Sequence, residues 1–300
     1  MNEERECKMS ICVPYDNIQR IDFDSPLFPD LLRDIPDPPK VLYCTGDLSL
    51  LEEDSVSVVG SRKYTLYGKT VAEMIGRRLG EAGIPVVSGL AYGIDAFAHE
   101  GALDAGGRVI GVLASGIRKM APKRNIDLMR RGLENGGLIV SEYEPDEPAE
   151  KYKYPRRNRI ISGLGRCTAV VEANVNSGSL ITAQHAMEQG RPVYAVPGNI
   201  NSQFSIGCNL LIRDGAYPLI VIDDLIRHLG ADPGEVSPEA RKLGEDERKI
   251  YDAVRRYNGA TPDRVAEETG LSTASVNAII TVMEIKGIFS TYAGKIYITC

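Results

Sequence analysis

Three hundred residues, 43% of them hydrophobic and 25% charged, exceed the usual single domain and predict one large α/β domain with something smaller beside it. No apolar run approaches the roughly 18 residues of a membrane span, and the start Met1-Asn2-Glu3-Glu4-Arg5-Glu6 lacks the basic-then-apolar order of a signal peptide, so a cytoplasmic protein without a membrane partner is expected. Six scattered cysteines (Cys7, Cys12, Cys44, Cys167, Cys208, Cys300) without CxxC spacing, and three dispersed histidines, predict reduced thiols and no metal site.

Along the chain, Asp34-Ile35-Pro36-Asp37-Pro38-Pro39 followed by Val41-Leu42-Tyr43 reads as part of an extended lead-in, residues 1–50, packed on a sheet edge. From 51 to 232, apolar β-branched runs alternate with helix-period segments. Strands are predicted at 55–59, 84–87, 109–112, 138–140, 169–171, 193–196 and 219–222, and helices at 69–80, 94–105, 125–133 and 180–189. This alternation specifies an α/β fold, a doubly wound and mostly parallel Rossmann-like sheet with helices on both faces. Asp232-Pro233-Gly234-Glu235-Val236-Ser237-Pro238 breaks the pattern and makes 233–240 a linker. In 241–300, helices are predicted at 245–257 and 262–269 and from the capping Ser272 through Lys286. A hairpin at 288–298, broken by Ala293-Gly294, completes a winged helix.

A net charge of −6 taken alone argues against a polyanionic partner. The distribution argues otherwise. Cations gather at Arg118, Lys119, Lys123, Arg124, Arg130 and Arg131, and again at Lys151, Lys153, Arg156, Arg157, Arg159 and Arg166, with an acidic block at 142–150 between them. Each run taken singly also fits a solvated face. Arg157-Asn158-Arg159 precedes a Val-rich strand, a placement that sets guanidiniums beside a sheet edge. Gly60-Ser61-Arg62, Ser88-Gly89, Ser177-Gly178-Ser179 with Thr182, and Pro197-Gly198-Asn199 fall at the C-terminal ends of predicted strands, where open α/β sheets bind ligands. Repeated N–H-rich turns with hydroxyls and planar guanidiniums suit a chain of phosphates. Tyr64, Tyr92 and Tyr154 lie in or near these loops, where rings either stack on bases or pack the loop.

Two nucleotide motifs fail on spacing. Gly68-Lys69-Thr70 looks like the end of a Walker A loop, but its first glycine would fall on Lys63. A dinucleotide site wants three spaced glycines after the first strand and an acid ending the second, where this chain has Gly60-Ser61-Arg62 and Ser88-Gly89. No cofactor is expected.

An ordered set of motifs runs from about residue 18 to 228. It comprises Val59-Gly60-Ser61-Arg62 with Tyr67-Gly68; Ser88-Gly89-Leu90-Ala91-Tyr92-Gly93-Ile94-Asp95 with Ala98-His99; Ser141-Glu142-Tyr143; and Tyr154-Pro155-Arg156-Arg157-Asn158-Arg159-Ile160-Ile161-Ser162-Gly163-Leu164. Glu172-Ala173, Ser177-Gly178-Ser179-Leu180-Ile181-Thr182-Ala183, Gly190-Arg191-Pro192, Val196-Pro197-Gly198 and Asp214-Gly215-Ala216 follow. In these the chain resembles the DNA-processing protein A family, DprA, also called Smf. The resemblance implies single-stranded DNA binding by an extended Rossmann fold, homodimerisation, delivery of the strand to a RecA-type recombinase during natural transformation, and no catalysis. By that pattern Arg62 and the Arg157-Asn158-Arg159 region line the pocket, with Ser88, Gly89, Ser177, Gly178 and Thr182 as donors.

The chain departs from the family where Arg118-Lys119-Met120-Ala121-Pro122-Lys123-Arg124-Asn125 makes one loop more basic, and in lacking the N-terminal helical domain of many relatives. The third winged-helix segment carries no cation before Lys286, which favours a protein contact or a weak duplex contact over base reading. Taken singly, Asp95 reads as a helix-dipole residue, His99 as packing and Glu172 as an ion-pair partner of the arginines. Two other functions compete: a nucleotide-processing enzyme of the lysine-decarboxylase-like phosphoribohydrolase type, whose Pro-Gly-Gly run breaks here at Asn199, and a non-catalytic interaction scaffold. For a dimer surface, residues 209–222 are the candidate, and ordinary core packing explains them equally well.

Overall fold

Runs of valine and isoleucine build the frame. Among the described residues of the computed structural model, which are 17–231, 244–257, 259–285, 288–292 and 294–298, the first unit of the chain holds nine strands. They are β1 (Gln19–Asp22), β2 (Val41–Gly46), β3 (Val56–Val59), β4 (Val86–Ser88), β5 (Val109–Val112), β6 (Leu138–Ser141), β7 (Cys167–Val170), β8 (Val193–Ala195) and β9 (Tyr217–Pro218). They form one sheet in the order β1-β2-β6-β5-β4-β3-β7-β8-β9. Pairing is parallel from β6 across to β9, while β1–β2 and β2–β6 are antiparallel.

Successive side chains of a strand point to opposite faces, and here both faces are covered. Val56 and Val58 of β3 pack with Ala72, Ile75 and Leu79 of α2 (Leu66–Glu81), with Ile94 and Ala98 of α3 (Ile94–Asp104), and with Leu128 of α4 (Ile126–Glu134). Val59, one position on, packs instead with Ile160 and Ile161 of α5 (Lys153–Leu164) and Ala183 of α6 (Gly178–Glu188). Each such buried valine, leucine or isoleucine side chain contributes about 1.5–3 kcal/mol. α2 and α3 lie so close that a Cβ on Gly76 would sit 2.0 Å from the Ala98 carbonyl oxygen, which is why glycine stands there. Among the described residues no helix is long and apolar enough to cross a membrane.

Three expectations change. Residues 19–46 are more than a lead-in against the sheet: β1 and β2 are strands of it, with α1 (Asp30–Arg33) between them. The strand expected at 219–222 is not one. The last pairing falls at Tyr217–Pro218, Leu219 is buried, and Val221 already accepts from Asp224 N in the turn into α8 (Asp223–His228). The apolar run there covers core and does not extend the sheet. The arginine stretch is itself a buried helix, α5. After β8, α7 (Ile206–Arg213) was also not foreseen.

The chain divides into units Met1–Asp232 and Pro233–Cys300. The expected linker 233–240, with Cys7, Cys12, Lys286, Ala293 and Cys300, lies outside the described residues. In the second unit α9 (Glu245–Tyr257), α10 (Pro262–Thr269) and α11 (Thr273–Ile285) enclose Ile250, Val254, Val265, Val276, Ile280 and Met283 against the antiparallel pair β10 (Phe289–Tyr292) and β11 (Lys295–Ile298). Thr261 caps α10 by accepting from Arg264 N, and Gly270 ends it in the left-handed conformation. Ser272 accepts from Ser275 N at the head of α11.

Candidate nucleic-acid interface

From β3 the chain steps through β4 and β5 to β6 on one side, while β7 and β8 lie on the other, so the connections diverge between β3 and β7. In open α/β sheets that divergence leaves a crevice outside the carboxyl ends of the strands. A cavity of about 80 Å³ opens there. One water needs only about 10–15 Å³ of such space, so the cavity admits a small polar group.

Of the residues expected at the site, Gly60, Arg62, Ser177, Gly178, Ser179 and Thr182 line this cavity. Ser177 caps α6, its Oγ accepting from Ser179 N at 3.4 Å and lying 2.7 Å from Ser179 Oγ. A helix N-terminus so capped offers N–H groups and positive dipole to an anion. Arg62 is exposed at the mouth, its guanidinium 4.9 Å from the centre of the Tyr154 ring, and no carboxylate among the described residues pairs with it.

Ser61, Ser88 and Gly89 stand behind the cavity wall. Ser61 N donates to Glu172 O, and Ser88 Oγ donates to Val58 O at 2.6 Å. The loop following Ser61 is set by Glu172, whose carboxylate accepts from Thr65 N at 2.9 Å and Thr65 Oγ1 at 2.6 Å, while Thr65 Oγ1 accepts from Gly68 N to cap α2. Glu172 is thus a buried loop anchor, not the ion-pair partner of the arginines that the sequence suggested. Asn158 Nδ2 donates to Gly178 O at 3.2 Å and so props the head of α6.

Arg157 and Arg159 do not face solvent. Arg157 is 3% exposed and Arg159 4%. The Arg157 guanidinium donates to Gly89 O at 2.9 Å and to Val112 O, and a Cβ on Gly89 would fall 2.6 Å from it. Arg159 pairs with Glu142 at 2.5 Å and Asp37 at 3.0 Å. Turning inward, these guanidiniums brace the strand ends. Helical burial explains the difference: from Arg157 through Leu164 every residue of α5 is buried, so the helix is enclosed on all sides and its guanidiniums have only the interior to turn to.

Asp95, a cavity-lining residue, was read from sequence only as a dipole residue. Its carboxylate accepts from Gly60 N at 3.4 Å and Gly89 N at 3.1 Å. Burial raises its pKa, against the attraction of Arg157 and the N–H groups of Gly60, Gly89 and Ala91. Burial likewise pushes Arg157 down to about 10 against the pull of Asp95, which leaves the arginine charged at neutral pH. Nothing in the local spacing signals this pair. His99 is fully buried and its pKa falls to about 4, so it is neutral packing.

Beyond the cavity, Lys63, Lys119, Lys123 and Arg124 are exposed, with no carboxylate partner among the described residues. The loop bearing the last three is tied to the β4 loop by Asn125 Nδ2, which donates to Leu90 O and Ala91 O, beside Tyr92. Of the three stacking candidates, Tyr154 lies under Arg62, Tyr64 meets Phe97 edge-on at 4.7 Å, and Tyr92 is 43% exposed. Among the described residues no group of His, Cys, Asp and Glu is placed to hold a metal.

Comparison with known proteins adds three findings. The family model described as DNA recombination-mediator protein A matches residues 19–230, and that of the DprA winged helix domain matches 237–295. The chain is similar to Protein Smf of Escherichia coli (39% identity over 75% of this chain and 60% of that protein) and to the DNA processing protein DprA of Bacillus subtilis (39%, 71% and 71%). It therefore spans less than two thirds of the E. coli relative. Among solved structures it is similar to DprA from Streptococcus pneumoniae (TM-score 0.66, 39% identity, 70% of this chain and 74% of that one). A second, described for its single-stranded DNA binding mode, is DNA processing protein A from Helicobacter pylori (TM-score 0.64, 31% identity, 71% and 96%).

Proposed function

The chain belongs to the DNA recombination-mediator protein A family, and from that premise we propose that it binds single-stranded DNA, without catalysis, along the C-terminal edge of its larger sheet and passes the strand to a RecA-type recombinase. The observation that carries this reading is the cavity at the capped N-terminus of α6, with exposed Arg62 in its lining and exposed Lys63, Lys119, Lys123 and Arg124 on the adjoining loops. The H. pylori relative, described for single-stranded DNA binding, supports the ligand class. Glu172, the acid nearest a general acid or base role, already accepts two hydrogen bonds from Thr65, which weighs against the phosphoribohydrolase alternative. The exposed face of α11, with Ala274, Asn277, Ala278, Thr281, Val282 and Ile285, carries no cation, which supports DNA on the first unit. Homodimerisation belongs to the same proposal, through 209–222, where Tyr217 and Ile220 are exposed.

The test is a salt titration on oligo(dT) and on a mixed-sequence strand. Single strands release counterions with a slope of about −0.7 per phosphate, so about four contacts give log affinity a slope near −3 against log salt. Base sequence should matter little, because N–H groups and cations address the backbone. Removing residues 237–300 should leave both results intact. A flat salt response, or loss of most affinity on truncation, would put the DNA elsewhere.

A further inference from the structure

The loop between β5 and α4 carries three of the exposed cations, and its two halves are held in different ways. Lys119 stands between Ile117 and Met120, both buried in the core. The same half is joined to the loop after β6, where Gly116 N donates to Glu147 O at 2.8 Å, Arg118 N donates to Pro145 O at 2.9 Å, and Arg118 pairs with Asp146 at 2.8 Å. Lys123 and Arg124 have no such footing. Ala121 and Pro122 before them are only half-buried, and the next buried side chain is that of Asn125. Its amide uses both protons on one turn: Nδ2 donates to Leu90 O at 2.9 Å and to Ala91 O at 3.1 Å. Leu90 stands there in the left-handed conformation, with φ 50°, which is uncommon for a residue with a side chain.

We propose that Asn125 is a positioning residue of the DNA interface, which fixes Lys123 and Arg124 against the turn beside the cavity so that the two cations meet strand phosphates already in place. This rests on the reading of the C-terminal sheet edge as the DNA surface. An asparagine at the start of a helix ordinarily accepts from an N–H of the first turn. Asn125 is the residue before α4 and makes no such bond; its side chain is turned instead to carbonyls 35 and 34 positions back. Ala91, one of the two acceptors, lines the cavity, so the contact ties the cation loop to the cavity wall. A loop already held in its bound shape loses less freedom when a ligand arrives, and the difference appears as affinity. Asn125 touches no strand in this account and acts only through the two cations.

The experiment is a double-mutant cycle on the full chain, read by the anisotropy of fluorescent oligo(dT) at matched salt. In the native background, Lys123→Gln with Arg124→Gln should weaken binding about tenfold or more. The same pair should reduce the salt slope by about 1.4, or 0.7 for each cation. Asn125→Ala, shown folded by circular dichroism, should by itself weaken binding about five- to tenfold. In that background the two glutamines should weaken it by less than about threefold further, because the cations are no longer held in place. A merely structural role for Asn125 would leave the effect of the glutamines as large as in the native chain, and that outcome overturns the proposal. So does a native chain whose affinity the glutamines leave unchanged. Should Asn125→Ala not fold, Asn125→Ser takes its place, since serine suits a helix start but offers one proton where the amide offers two. Failure of both to fold makes Asn125 a residue of the core and also overturns the proposal. If oligo(dT) does not bind the native protein at all, it is the DNA-surface reading that fails.

Discussion

Replacing Arg157 with alanine is expected to lower the stability of the protein by about 2–5 kcal/mol, because each buried acceptor left without its donor costs about 1–3 kcal/mol. The side chain is 3% exposed and joins three strand ends. It donates to Gly89 at the end of β4 and Val112 at the end of β5, and it faces Asp95, which accepts from Gly60 after β3. Alanine would strand the Asp95 carboxylate in a desolvated site and leave two carbonyls without their donor. Urea unfolding followed by circular dichroism measures the loss. Asp95→Asn with Arg157→Met should lose less than the sum of the single changes, because the two buried charges that act on each other are removed together. A loss below about 1 kcal/mol accompanied by weak oligo(dT) binding would mean that the guanidinium turns out to DNA instead.

Arg62→Ala should do the reverse, sparing the fold and weakening single-strand affinity by about 1.5–3 kcal/mol, or roughly ten- to hundredfold. Arg62 is exposed at the cavity mouth, where its guanidinium lies 4.9 Å from the centre of the Tyr154 ring. Its stacking on tyrosine holds the guanidinium toward the cavity, so less freedom is lost when a phosphate is gripped. Fluorescence anisotropy at matched salt gives the ratio of dissociation constants, and an unchanged constant removes Arg62 from the interface. A loss of stability comparable to that of Arg157→Ala would instead make Arg62 a structural residue.

The contrast between these two arginines marks where reading the chain stops. β3 and β5 through β8 are legible as continuous valine- and isoleucine-rich runs, because a parallel strand covered on both faces needs apolar residues at successive positions. The turns at Gly60-Ser61 and Ser177-Gly178-Ser179 are legible because glycine and hydroxyl side chains satisfy backbone geometry and helix ends locally. The three helices and hairpin of the second unit follow from spacing and caps in the same way. By contrast, the run at 219–222 has strand-like composition, yet it ends as a turn into α8. Whether an apolar run pairs or merely covers depends on which strand lies beside it.

Charge is the larger gap. Arg62, Arg157 and Arg159 look alike in the sequence, but one faces solvent and two are buried. Arg157 meets Gly89 across 68 positions of sequence, and Asp95 and Val112 come to it from other elements. Periodicity, capping and turn chemistry are set by neighbours along the chain, so the alternating strands and helices and the positions of the N–H-rich turns can be read from it. The free energy of a charge depends on every dipole and counter-ion packed around it. Only the tertiary structure assembles that surrounding set, and so it alone decided that Arg157 and Asp95 brace the cavity while Arg62 stands open to a phosphate.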